Sequence, residues 1–155
     1  MTRDRGTAGP RLPALGDFER LLAFRVSLRR FQHWSESQAR AAGLTHVQHQ
    51  LLVAVKGHPG AEPPSVGDLA GYLLLRHHSA VELVDRAELA GLVRRGPDPG
   101  DARIVRVTLT GKGDRLVTKL TEAHLAELDS LAVALNELTA GGHVAPIEIL
   151  ESHSV

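Results

Sequence analysis

Cysteine is absent from this sequence. That excludes disulfide frameworks, thiolate-bound metals and thiol redox sensing. Aromatic side chains amount to only 3%. A core must therefore come mostly from Leu, Val and Ala, which favours packed helices. No apolar run approaches the ~20 residues of a membrane span. The first residues carry charge but no apolar stretch of the signal-peptide kind, so the expected location is cytoplasmic. Catalytic constellations are missing as well. No glycine-rich phosphate loop follows a strand, and no spacing gathers a Ser, His and Asp set, so neither an enzyme nor a cofactor is expected. Net charge is lacking too, because 18 Lys/Arg balance 18 Asp/Glu. With 155 residues, the chain can still bury one real core with helical extensions.

The zero net charge hides an uneven distribution. Residues 1–30 hold seven basic and three acidic residues, and residues 76–115 hold eight and six. Residues 116–155 hold one and six. Local field, rather than the total, decides nucleic-acid association.

Taken in order, residues 1–16 are rich in Arg, Pro and Gly and read as a flexible tail. Residues 17–42 form a long helical pattern, with Asp17 as its expected N-cap and Gly43 as its stop. Phe18, Leu21, Leu22, Phe24, Leu28 and Phe31 need more cover than one small domain offers. Thr45 opens the next helix through a capping box with Gln48. Val47, Leu51, Ala54 and Val55 form its expected buried stripe. The loop Gly57–Pro64 precedes a second box, Ser65 with Asp68. A short helix follows, with Val66, Leu69, Ala70 and Leu73 inward. The next helix, about 77–90, turns Ala80, Leu83, Val84 and Ala87 inward. At 100° per residue, His78, Ser79, Glu82, Asp85, Arg86 and Leu89 point outward. Residues 92–109 read as a hairpin around the turn cluster Gly96–Asp101, with Ile104–Leu109 alternating. Thr110 caps a last helix whose Leu128, Leu131, Leu135 and Leu138 repeat as the seam of a helix pair. Ile147, Ile149 and Leu150 suggest a further short docked helix. The fold class is mostly α with a small β-hairpin: a winged helix-turn-helix plus a helical dimerisation region.

Six pieces in order carry a family resemblance. They are Leu44-Thr45 with Gln48, SVGDLA at 65–70, LVDR at 83–86, GLVRR at 91–95, DPGDAR at 98–103 and LTGKG at 109–113. Together they resemble the MarR family of bacterial transcriptional regulators. The resemblance implies a homodimer built by helices 17–42 and 110–155, with the DNA-binding region at 45–113. The partner is double-stranded DNA carrying a pseudo-palindromic operator. The expected activity is repression released by a small-molecule effector, with no membrane involvement. Two positions depart from the family pattern: Ala102 stands where a second basic wing residue is usual, and Glu82 where a basic or polar one is.

The docking geometry assigns roles. Reader-helix contacts fall to Arg76, His77, His78, Ser79, Glu82 and Arg86. His77, His78 and Ser79 are expected at base edges, and Arg76 and Arg86 at phosphates. Arg86 could instead pair with Glu82 one turn back. In the wing, the resemblance implies that Asp101 steadies Arg103 at a minor groove, and Arg106 adds a basic position. Arg94 and Arg95 are generic basic positions that suit either phosphate or solvent. No metal site is expected. His33, Glu36, His46 and His49 nonetheless share helical i, i+3 spacings, so a metal-responsive regulator is one alternative. A dimeric interaction module without an operator is the other. Trp34 reads as a packing residue or a pocket wall.

Overall fold

The computed structural model describes residues 12–139. Its elements are α1 (Leu15–Ala41), α2 (His46–Lys56), α3 (Val66–Tyr72), α4 (His77–Leu89), β1 (Val93–Pro97), β2 (Val105–Leu109) and α5 (Gly111–Thr139). Two compact units result: residues 32–128 form one, and residues 12–31 with 129–139 belong to the other. Residues 1–11 of the expected tail lie outside the described residues, as do Ile147, Ile149 and Leu150, while Leu15 and Gly16 belong to α1 rather than to a tail.

Local chemistry sets the helix starts. Thr45 and Gln48 exchange side-chain and backbone bonds of 3.1 and 3.0 Å, and Ser65 and Asp68 do the same at 3.1 and 2.8 Å. Both capping boxes thus stand as expected. Asp17 does not cap as expected. The helix begins two residues earlier, and the Asp17 carboxylate reaches back to accept from the Ala14 N–H at 2.8 Å. Thr110 accepts from the Gly113 N–H at 3.1 Å and opens α5.

Three helices end in the same reversal, in which one residue turns left-handed and two N–H groups return to the last turn. After α1 the residue is Gly43, with φ +78°, and after α4 it is Gly91, with φ +71°. After α3 it is Leu74, with φ +54°. There the Leu75 N–H donates to the Ala70 carbonyl at 2.9 Å, closing the motif around a residue ill-suited to it.

The core of residues 32–128 joins Leu51, Leu52 and Val55 of α2 to Leu69, Leu83, Val84, Leu92, Val93, Val107 and Val117. Val47 does not join the buried stripe; it is 40% exposed, and His49 and Leu52 are inward instead. The stripe shifts because α2 is covered along a different face, where His49 meets His124 of α5. β1 and β2 pair antiparallel, Val93 opposite Leu109 and Pro97 opposite Val105. A bridge from Ser65 to Arg106 ties α3's entrance to the hairpin. At the ends of the chain, Phe18, Leu21, Leu22 and Val133 are exposed apolar residues.

Candidate nucleic-acid interface

Helix α4, the expected reader, separates its faces cleanly. Ala80, Leu83, Val84 and Ala87 are buried, whereas His77, His78, Glu82, Arg86 and Leu89 are exposed and Ser79 is half-buried. Arg76 is the N-cap residue and makes no side-chain capping bond, so the first N–H groups of the helix stay available to a partner. Glu82 and Arg86 form no ion pair among the described residues, which leaves Arg86 extended into solvent. Arg76 and Arg94 likewise have no ion pair there.

The wing is a braced finger. Asp98 accepts from the N–H groups of Gly100 and Asp101 at 2.8 and 3.0 Å, a local turn of the chain around its own carboxylate. The Gly100 N–H first, then the Arg106 side chain and the Asp101 N–H, hold the Asp98 carboxyl below its ordinary range. Asp101 grips Arg103 at Nε and at a terminal nitrogen, 2.9 and 2.8 Å, and also accepts from its backbone N–H at 3.0 Å. The Arg103 side chain stays 90% exposed all the same. It is aimed rather than sequestered.

His77, at the start of the reader, and Arg103, on the wing, line one cleft of about 300 Å³ floored by Val66, Val81 and Val84. Of the expected reader and wing residues, the cleft brings together these two; Arg76, His78, Ser79, Glu82, Arg86, Asp101 and Arg106 do not line it. Arg106 is placed differently. Its Nε donates to Asp98 at 2.6 Å and a terminal nitrogen donates to the Pro63 carbonyl at 3.0 Å. These bonds commit it to bracing the wing against the loop before α3.

Two groups that sequence reasoning left generic or unassigned, Arg95 and Lys112, prove structural, and Thr110, expected only as a cap, takes a second role. Arg95 binds Asp85 and Glu88 of the reader helix. Lys112 donates to the Ala90 carbonyl at 2.9 Å, at the reader's C-terminal end. Thr110 donates to the Gly91 carbonyl at 2.7 Å. Only spatial neighbours reveal these roles; the sequence signal was limited to a basic residue near a helix end.

The histidine spacing yields a different arrangement from a metal centre. His33 and Glu36 are exposed, and the His46 ring bonds Gln50 at 2.9 Å. His49 is only 4% exposed, and neither of its ring nitrogens has a hydrogen-bond partner among the described residues. Its ring lies 4.7 Å from that of His124, which in turn packs 4.7 Å from Trp34. Trp34 thus packs as a wall of this cluster. The His124 Nδ1 donates to the Leu120 carbonyl at 2.7 Å, so its Nε2 accepts from the Ser35 hydroxyl at 2.8 Å. Burial, followed by the neighbouring His124 and His46, lowers the His49 pKa to about 4. Among the described residues, no group of three or more His, Asp or Glu side chains is placed to hold a metal ion. No described helix is long and apolar enough to cross a membrane.

Comparison with known proteins points the same way. Residues 42–104 match the model of the MarR family. The transcriptional activatory protein BadR of Rhodopseudomonas palustris is 37% identical over 98 residues, covering 59% of this chain and 56% of that protein. The HTH-type transcriptional regulator PecS of Dickeya dadantii is 34% identical over 70 residues, covering 45% of this chain and 41% of that protein. This chain spans between 38% and 62% of the lengths of the curated relatives it matches. Among solved structures, AbsC of Streptomyces coelicolor, a MarR family transcriptional regulator, superposes with a TM-score of 0.68 at 23% identity, covering 84% of this chain and 90% of that one. MepR of S. aureus, solved in complex with DNA, gives 0.64 at 19% identity, covering 83% and 89%.

Proposed function

We propose that this chain is a MarR family member and a homodimeric, sequence-specific DNA-binding transcriptional regulator. One observation carries the reading. A helix with a fully apolar inner face presents an uncapped, polar first turn beside an aimed wing arginine, across one cleft. That first turn, Arg76 to Ser79, enters the major groove and reads base edges. Glu82, one turn further on, accepts from cytosine N4. Arg86 meets phosphate, and Arg103, held by Asp101, enters the adjoining minor groove. Arg106 serves this surface by bracing the wing.

Apolar exposure supports the homodimer. Phe18, Leu21, Leu22, Leu125, Leu128 and Val133 leave more Leu, Phe and Val in water than a monomer tolerates well. A two-fold dimer presents its readers about one helical turn apart, ~34 Å, to a pseudo-palindrome. Repression relieved by a small molecule that prefers a different reader separation completes the proposal. Its setting is the cytoplasm, and it calls for no catalytic step.

The test is enrichment of duplexes from a random pool by the purified chain, followed by gel shift of the enriched sequence across a salt series. A DNA reader enriches an inverted repeat, and its affinity falls steeply as salt rises. A chain that enriches no sequence is not such a regulator.

A further inference from the structure

Arg95 stands in the run Gly91–Arg95, one strand residue from the exposed Arg94, where a basic side chain reads at first as a phosphate contact. Its geometry says otherwise. The Arg95 backbone N–H donates to one Glu88 carboxylate oxygen at 2.9 Å, and its Nε donates to the other at 2.8 Å. A terminal nitrogen reaches Asp85 at 2.5 Å. Each guanidinium nitrogen thus meets a carboxylate of the reader helix, Asp85 or Glu88, one turn apart along it, and the side chain lines the cleft between His77 and Arg103 with these bonds already made. Glu88 sits below the ordinary carboxylate range because of these bonds, the backbone one first. A planar fork held at three points fixes distance and angle in a way a single point charge does not. β1 also carries the wing, so this link sets how far Arg103 stands from the reader's first turn.

We propose that Arg95 is a positioning residue for operator recognition: a strut between wing and reader that touches no DNA and on which discrimination between sequences depends. The proposal rests on the DNA-binding reading above and deepens it. A contact and a strut differ in measurable ways. Losing a phosphate contact weakens binding to all duplexes alike and lowers the slope of log affinity against log salt by about 0.9. Losing a strut leaves that slope and the non-specific affinity alone and lowers only the ratio of specific to non-specific binding.

The experiment uses the full chain, the duplex it enriches and a scrambled duplex of equal length. Arg95→Gln is expected to cut the specificity ratio about tenfold at unchanged salt slope. Glu88→Gln cuts the same link from the helix side, and it guards against loss of folding in the first variant. Its sign is diagnostic. Removing a negative charge near DNA tightens binding if electrostatics alone act, whereas breaking the strut lowers the ratio. A slope reduced by about one in Arg95→Gln, with equal loss on both duplexes, makes Arg95 a phosphate contact and overturns the proposal. Unchanged ratios in both variants overturn it as well. If the wild-type chain enriches nothing, the DNA-binding reading falls and takes the strut's role with it; a slope change with wild-type recognition intact removes the strut alone.

Discussion

Gly113 offers the sharpest test of how the reader is seated. A Cβ built on it would lie 2.1 Å from the Leu92 carbonyl oxygen and 3.0 Å from its carbon. The obstacle is backbone, so no rotamer change relieves it. Alanine therefore forces α5 and the Leu92 peptide apart by about 1 Å, against the close packing of the interior. That same carbonyl accepts from the Thr110 N–H at 3.0 Å and from its hydroxyl at 3.1 Å. Overpacking costs roughly 1–3 kcal/mol. Two stretched hydrogen bonds add about 1 kcal/mol each at most. Better helix propensity returns up to about 1 kcal/mol. The expected net loss is about 2–3 kcal/mol, a fall in melting temperature of roughly 4–12 °C for a chain of this size. Gly111 provides the control, two residues away in the same helix. Its Cβ would meet only the flexible end of Arg115, at 3.4 Å. Gly111→Ala is therefore expected to be neutral or to stabilise by up to about 1 kcal/mol. Urea denaturation of both variants at one protein concentration decides the matter. A Gly113→Ala chain as stable as wild type refutes this account of the α5 docking.

Other consequences are as direct. Leu74 holds φ +54° while 92% exposed, so its side chain gains no packing in return for the strain. Leu74→Gly should raise stability by about 0.5–1 kcal/mol in urea denaturation, and a loss would show that the side chain is supported. His49, at about 4 against an ordinary 6.5, stays neutral in the fold while the unfolded chain takes up a proton. Its contribution is complete above pH 6.5 and is lost as pH falls toward 4, by up to about 3 kcal/mol. His49→Leu should flatten the stability profile between pH 6.5 and 5, where carboxylates contribute least; an unchanged slope there rules His49 out. For Arg103→Ala, the expected result is about tenfold weaker binding of the enriched duplex with a shallower salt slope. Full binding would mean that the wing tip does not meet DNA.

Local features proved readable from the chain alone. Both capping boxes, the Gly43 and Gly91 stops, the hairpin and the inward face of α4 depend on neighbours within a few residues, and residue type states them. What escaped reading depends on distant partners. The buried face of α2 rotates to take in His49, because α5 supplies His124 to meet it. Three consecutive leucines at 73–75 give no sign that the middle one takes a glycine's conformation. The cations were the hardest to assign. Arg94 and Arg95 are identical by type, yet only Arg95 finds carboxylates on the helix behind it. Lys112 finds a helix-end carbonyl 22 residues away. Spacing does not encode such pairings.

The wing has a consequence for traffic along a chromosome. Arg95, Arg103 and Arg106 each lie against carboxylates of their own chain. In the proposed complex, the steep salt dependence therefore rests mainly on Arg76 and Arg86, which no described carboxylate offsets, while the wing contributes mostly fit. Arbitrary sequences would then be held by the reader's charge, and the wing would lengthen the stay only where the groove suits it.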